Sequence, residues 1–171
     1  MAVRRATVDD AEAIERIRVE TWRATYRGLL PDALIDQLQP NVARRRERLR
    51  SPSELNFVAE EGPGVIGYAF AGPERTHDPE YASEVYAIYV LPGAQGKGHG
   101  RALIRESARE LATRGMTSLL IWVLRENKIG RGFYERLGGT PVREKQLEEF
   151  PGAEEHVEIG YGWKDTRALI G

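Results

Sequence analysis

Cysteine is absent from the 171 residues. That excludes a disulfide framework, a thiolate zinc site and a cysteine nucleophile together. Long apolar runs are also missing, and nothing approaches the length of a membrane span. Neither sign of charge dominates: 25 Lys and Arg stand against 26 Asp and Glu, a formal charge of -1. So even a balance supplies no general attraction to nucleic acid or to an anionic membrane. An anionic ligand must therefore be held by a local arrangement. Met1 to Asp10 carries arginines and aspartates with no hydrophobic segment behind them, so no secretory signal is expected and a cytoplasmic address is the default.

The composition is that of a globular chain, 41% hydrophobic and 30% charged, and the length suits one domain over 1–171. Val3 to Ala6 reads as an opening strand. Thr7 is a helix N-cap with Asp10 three positions on, and Ile14, Ile17 and Trp22 supply a helical stripe reaching Tyr26. Pro31 starts a short helix through Leu38, and Asn41 to Arg50 reads as a polar helix. Strands follow at Asn56–Glu60 and Val65–Ala71, joined by a Gly-Pro-Gly turn, and at Glu84–Val90. A helix over Arg101–Arg114, a strand at Ser118–Leu124, a helix over Ile129–Leu137 and strands at Val142–Leu147 and Val157–Trp163 complete the pattern. This order predicts an α/β (α+β) fold: a central mixed, mostly antiparallel sheet flanked by helices.

Between the Glu84–Val90 strand and the next helix lies Gln95-Gly96-Lys97-Gly98-His99-Gly100-Arg101. Glycines let successive backbone N–H groups turn toward one point, and a helix N-terminus adds a positive dipole end, which suits a pyrophosphate. The run matches neither a P-loop, where Ser or Thr follows the Lys, nor a dinucleotide fingerprint. A plain strand-to-helix connection accounts for the glycines equally well. With the residues around it, however, this segment resembles the GNAT superfamily of N-acetyltransferases, whose hallmark is Gln/Arg-x-x-Gly-x-Gly/Ala at such a junction. The resemblance runs from about Val3 to Trp163 and is strongest between Glu84 and Gly138. It implies acetyl-CoA as cosubstrate, with the Gln95–Arg101 loop on its pyrophosphate and the backbone of Ile88, Tyr89 and Val90 along its pantetheine arm.

Two further segments carry chemistry. Glu84 heads a strand in which, at period two, Glu84, Tyr86, Ile88 and Val90 share one face. Either it is solvated at an exposed strand end, or it is a general base for an acceptor that arrives as an ammonium. A glutamate at this place in several GNAT enzymes favours the second. Farther on, Asn127 reads as a helix cap, while Ile129, Phe133 and Leu137 recur every four residues as core. Tyr134 falls on the side of Asn127. The resemblance makes Asn127 a cofactor contact and Tyr134 the general acid for the leaving thiolate. Trp22 and Tyr26 fall where the family builds its acceptor pocket, although core packing explains them equally.

The arginine run Arg44, Arg45, Arg46, Arg48 and Arg50 reads as a solvated helix face, and His77, His99 and His156 show no metal-ligand spacing. Acidic pairs at Glu148-Glu149 and Glu154-Glu155 flank Pro151-Gly152 in an exposed loop. The expectation is an acetyl-CoA-dependent N-acetyltransferase acting on a small-molecule or protein amine by direct attack in a ternary complex. It needs no metal, nucleic acid or membrane, and the resemblance suggests a homodimer. A non-catalytic acyl-CoA-binding module is the rival.

Overall fold

A computed structural model describes residues 2–171. One sheet of seven strands runs through the chain in the order β1-β2-β3-β4-β5-β7-β6. Its strands are β1 (Ala2–Arg5), β2 (Leu55–Glu61), β3 (Gly64–Pro73), β4 (Ser83–Val90), β5 (Leu119–Leu124), β6 (Thr140–Gln146) and β7 (Val157–Trp163). All neighbours are antiparallel except β4 and β5. The helices are α1 (Ala11–Tyr26), α2 (Asp32–Asp36), α3 (Val42–Leu49), α4 (His99–Thr113), α5 (Lys128–Arg136) and α6 (Arg167–Ile170). This is the expected mixed, mostly antiparallel sheet with helices on it. The last short helix was not expected. Among the described residues no helix is long and apolar enough to cross a membrane.

The local signals explain most boundaries. Asp10 accepts from the Thr7 N–H at 2.7 Å, closing the turn that leads into α1. Asn41 caps α3 through Arg44 N and Asn127 caps α5 through Gly130 N. Gly115, at φ +81°, takes the left-handed position that ends α4. On one side of the sheet α4 packs its Leu103, Ile104, Ala108 and Leu111 against Leu55, Ala69, Val85, Leu119 and Ile121. On the other, Ile14 and Ile17 of α1 cover Val58, Tyr68 and Phe70. Burying both faces fixes the sheet between α4 and α1, and leaves the region beyond α1 over β5 and β7 as an open hollow.

Three expectations need correction. The period-two reading of β4 fails at Tyr86, where Phe70 faces Ala87 but Ala71 faces Val85. One residue is extra, so Tyr86 and Ala87 both turn toward the α1 side with Tyr89, while Val85, Ile88 and Val90 pack with α4. Ile129 is not core: it is 79% exposed at the mouth of a cleft, whereas Phe133 and Leu137 do pack inward. The helical period sees a stripe, but Ile129 sits in the first turn of α5, beyond the reach of the sheet. Nor is the arginine run wholly solvated. Arg45 is buried, donating Nε to Glu15 Oε1 at 2.8 Å with its guanidinium 4.4 Å from the Phe70 ring. Spacing could not show that α1 turns a carboxylate toward it.

Candidate active site

β4 and β5 pair only from Ser83–Leu119 to Val85–Ile121. Beyond that point they diverge, leaving the β5-facing edge of Tyr86–Val90 without a strand partner. Parallel pairing needs no shared turn, so nothing at this end forces the strands together. The gap opens into a cleft of about 1480 Å³. That exceeds the few hundred to about 1,000 Å³ usual for one small ligand, so two substrates can share it.

The glycine loop closes one end. Gly96 and Gly98 have φ of +76° and +89°, and a Cβ on either would meet nothing within 4 Å. Conformation, not crowding, requires glycine there, and the open side is where a bulky anion can approach the amides. Gly98 sits at the N-cap of α4, so the free N–H groups of the first turn, from His99, Gly100 and Arg101, face the same mouth. Gly100 answers to a different constraint: a Cβ would come 3.1 Å from Phe133 Cζ, locking α4 against α5. Gln95 spends its amide on Val90 O at 3.0 Å, which pins the loop to the end of β4. Lys97 reaches Glu61 at 3.3 Å on the surface. The His99 imidazole is buried, and neither ring nitrogen is bonded within the protein.

Tyr134 lies beside the gap, its ring 5.8 Å from that of Tyr161 and edge-on to Trp163. It lines the cleft, and burial holds its hydroxyl well above the ordinary phenol value, with Tyr89 adding to the shift. Such a group stays protonated at neutral pH and can donate. Asn127 lines the same mouth although its Oδ1 is taken by the cap.

Glu84 is at the head of β4 and is not solvated at all: it is 1% exposed yet lines the cleft. Arg75, from the loop between β3 and β4, grips both oxygens. Its Nη2 lies 2.6 Å from Oε1, and its Nε and backbone N donate to Oε2 at 3.3 Å each. The guanidinium in turn stacks 4.2 Å from the Tyr86 ring. The wall of the cleft on the α1 side is aromatic. Trp22 Nε1 donates to the Tyr89 hydroxyl at 2.9 Å, and the Trp22 ring packs edge-on to Tyr26 and Phe150. Burial pushes the phenols of Tyr26 and Tyr89 upward.

Sequence reasoning missed Arg75, Phe150, Glu158 and Lys145. Glu158 stands out among Val, Ile, Tyr and Trp in β7 and was open to the question asked of Glu84. Arg75 and Phe150 lie in loops whose direction no periodicity reveals, and Lys145, within β6, was open to the same period-two question.

A two-substrate cleft with a splayed parallel pair, an anion loop at a helix start and a buried phenol is the arrangement of an acyl-transfer enzyme. Comparison with known proteins is specific. The profile of the acetyltransferase (GNAT) family matches residues 12–139. The uncharacterized N-acetyltransferase YuaI of Bacillus subtilis (strain 168) is 32% identical over 169 residues, covering 99% of this chain and 96% of that protein. Mycothiol acetyltransferase of Streptomyces scabiei is 38% identical over 82 residues, which is 48% of this chain and 26% of that longer protein. Among solved structures, ribosomal-protein-alanine N-acetyltransferase from Brucella melitensis superposes with a TM-score of 0.76 at 24% identity, over 95% of this chain and 99% of its own. The yncA protein of Salmonella typhimurium, solved with its cofactor acetyl-CoA, does so with a TM-score of 0.74 at 23% identity, over 95% and 92%. These two likenesses establish the fold. The chain belongs to the acetyltransferase (GNAT) family, and its class is that of the acetyl-CoA-dependent N-acetyltransferases.

Proposed function

We propose that the protein transfers the acetyl group of acetyl-CoA to a primary amine by direct attack within a ternary complex. The observation that carries this is the end of β4–β5 pairing at Val85–Ile121. It leaves a free backbone edge on Tyr86–Val90, between the glycine loop at one end and Glu84 at the other. Pyrophosphate fits the amides of Gly96, Gly98 and Gly100 with the α4 N-terminus, flanked by Gln95, Lys97, His99 and Arg101. Pantetheine then runs along Ile88, Tyr89 and Val90 past Asn127 and Ile129, whose exposure an adenosine or pantetheine contact would relieve.

The acceptor enters from the side of Trp22, Tyr26 and Phe150. Its ammonium loses one proton to a carboxylate of the cleft, for which Glu84 is the residue that position in the sequence suggests. The free amine attacks the thioester carbonyl, where backbone N–H groups of the β4 edge polarise the oxygen. As the C–N bond forms and the C–S bond breaks, Tyr134 protonates the departing thiolate. The second nitrogen proton leaves as the amide forms and restores the phenol through solvent.

The test is thiol release from acetyl-CoA across a panel of polyamines, amino acids, aminoglycosides and N-terminal and lysine peptides. Release that depends on an amine, with an acetylated product by mass, is the expected result. Binding of CoA without release across the panel would instead mark a non-catalytic acyl-CoA-binding module.

A further inference from the structure

β7 alternates with little ambiguity. Val157, Ile159, Tyr161 and Trp163 face the α4 core, so Glu158, Gly160 and Gly162 share the opposite face, where Trp122 and Arg143 cover Gly160 and Tyr81 covers Gly162. Two of those three have no side chain. Glu158 is therefore the one functional group that β7 projects toward the substrates, and it lines the cleft. Its Cα neighbours are Leu124 of β5 and Lys145 of β6. Leu124 belongs to the cluster of Trp22, Tyr26 and Phe150, which puts Glu158 beside the aromatic acceptor wall.

Glu84 and Glu158, both lining the cleft, differ in what holds them. Arg75 engages both oxygens of Glu84, so a proton arriving there competes with a bidentate pair. Glu158 is bound loosely, by Lys145 Nζ alone, at 3.5 Å from Oε2. The Lys145 ammonium is itself drawn to the Trp122 ring, 4.4 Å from its centroid. We propose that Glu158 accepts the proton of the acceptor amine, and that the Glu84–Arg75 pair positions the acceptor instead of deprotonating it.

Its surroundings agree. Burial pushes the Glu158 carboxyl up from its ordinary value; Lys145 of β6 opposes this, while Glu149 of the β6–β7 loop and Glu84 of β4 reinforce it. The phenols of Tyr26 on α1 and Tyr89 on β4 also feel its charge. A carboxyl raised by burial and held by one ammonium is freer to take a proton than one gripped through both oxygens by a guanidinium. The balance is simple: an N–H bond of the ammonium breaks, the electron pair stays on nitrogen, and the proton forms an O–H bond on Glu158.

This assignment rests on the transfer reading above, and one experiment separates them. kcat is followed against pH at saturating acetyl-CoA and amine for the parent, Glu158→Gln, Glu84→Gln and Lys145→Met, with thermal melts to confirm folding. Glu158→Gln should lose roughly 10²-fold in kcat, a typical general-base contribution, together with the acidic limb of the profile. Glu84→Gln should keep that limb and change mainly KM for the amine. Lys145→Met removes the opposing cation, so its limb should move to higher pH. A parent that releases no thiol overturns the transfer reading and this assignment with it. An active parent whose acidic limb survives in Glu158→Gln, or vanishes only in Glu84→Gln, overturns the assignment alone.

Discussion

Trp22 of α1 donates its indole N–H to the hydroxyl of Tyr89 on β4, 2.9 Å away, and so ties the aromatic wall of the cleft to the strand whose free edge faces it. The bond joins residues 67 positions apart. Trp22→Phe keeps the ring packing against Tyr26 and Phe150 but leaves the Tyr89 hydroxyl without its indole donor. A stability loss of about 1 kcal/mol is expected by chemical denaturation. In steady-state kinetics KM for the amine should rise several-fold, with KM for acetyl-CoA little changed. An unaltered amine KM would remove Trp22 from the acceptor wall.

The acid role proposed for Tyr134 requires its proton to stay on at neutral pH, as its burial favours. Tyr134→Phe preserves the contacts with Tyr161 and Trp163, so the domain should melt normally. Turnover should fall by roughly 10²-fold, within the usual range for a lost general acid, while calorimetric affinity for CoA stays nearly constant. Full turnover would show that solvent protonates the thiolate.

Gly98 has φ +89° at the start of α4. Alanine there meets no neighbour, so its cost is conformational, about 1–2 kcal/mol. Relief of that strain would rotate the loop amides. The expected outcome for Gly98→Ala is a KM for acetyl-CoA raised about tenfold or more, with the amine KM unchanged. Equal effects on both would mean that the loop does not serve the donor specifically.

Asp10 accepts from Arg4 through both oxygens, at 2.8 and 2.9 Å, and from Thr7 N. The Arg4 bonds, aided by Thr7, hold its carboxyl below the ordinary value despite burial. A group depressed in the folded state stabilises fully above its unfolded pKa, near 4, and loses that contribution as pH falls through the lower folded value. Asp10→Asn should therefore cost stability at pH 7, about 2 kcal/mol for a charged hydrogen-bonded pair, and less as the pH drops below about 4. Urea unfolding at pH 7 and pH 3 measures this. A cost that is the same at both would place the effect in packing.

Much of the fold was legible because its signals are local. Caps at Thr7, Asn41 and Asn127, the turn at Gly62, and Gly115 after α4 each act within a few residues, and the strand and helix periods between them followed. The glycine loop and Tyr134 could be singled out for the same reason, as short-range patterns. Ile129 and Arg45 were misread because a period reports which residues share a face and is silent on what lies opposite. The bulge at Tyr86 shifted the β4 pattern by one, and only pairing with β3 reveals that.

Composition and local pattern by themselves determined the class of fold, the loop for an anion and the candidacy of Glu84. They also removed every chemistry that needs a thiol of the protein itself. The tertiary structure decided what those residues can do, because a carboxylate's behaviour depends on charges brought to it from distant parts of the chain. Arg75 closes on Glu84 from a loop, and Glu158 comes to the cleft only when β7 inserts between β5 and β6. Proton affinity is set by burial and by neighbours within a few ångströms, and such neighbours are assigned by folding.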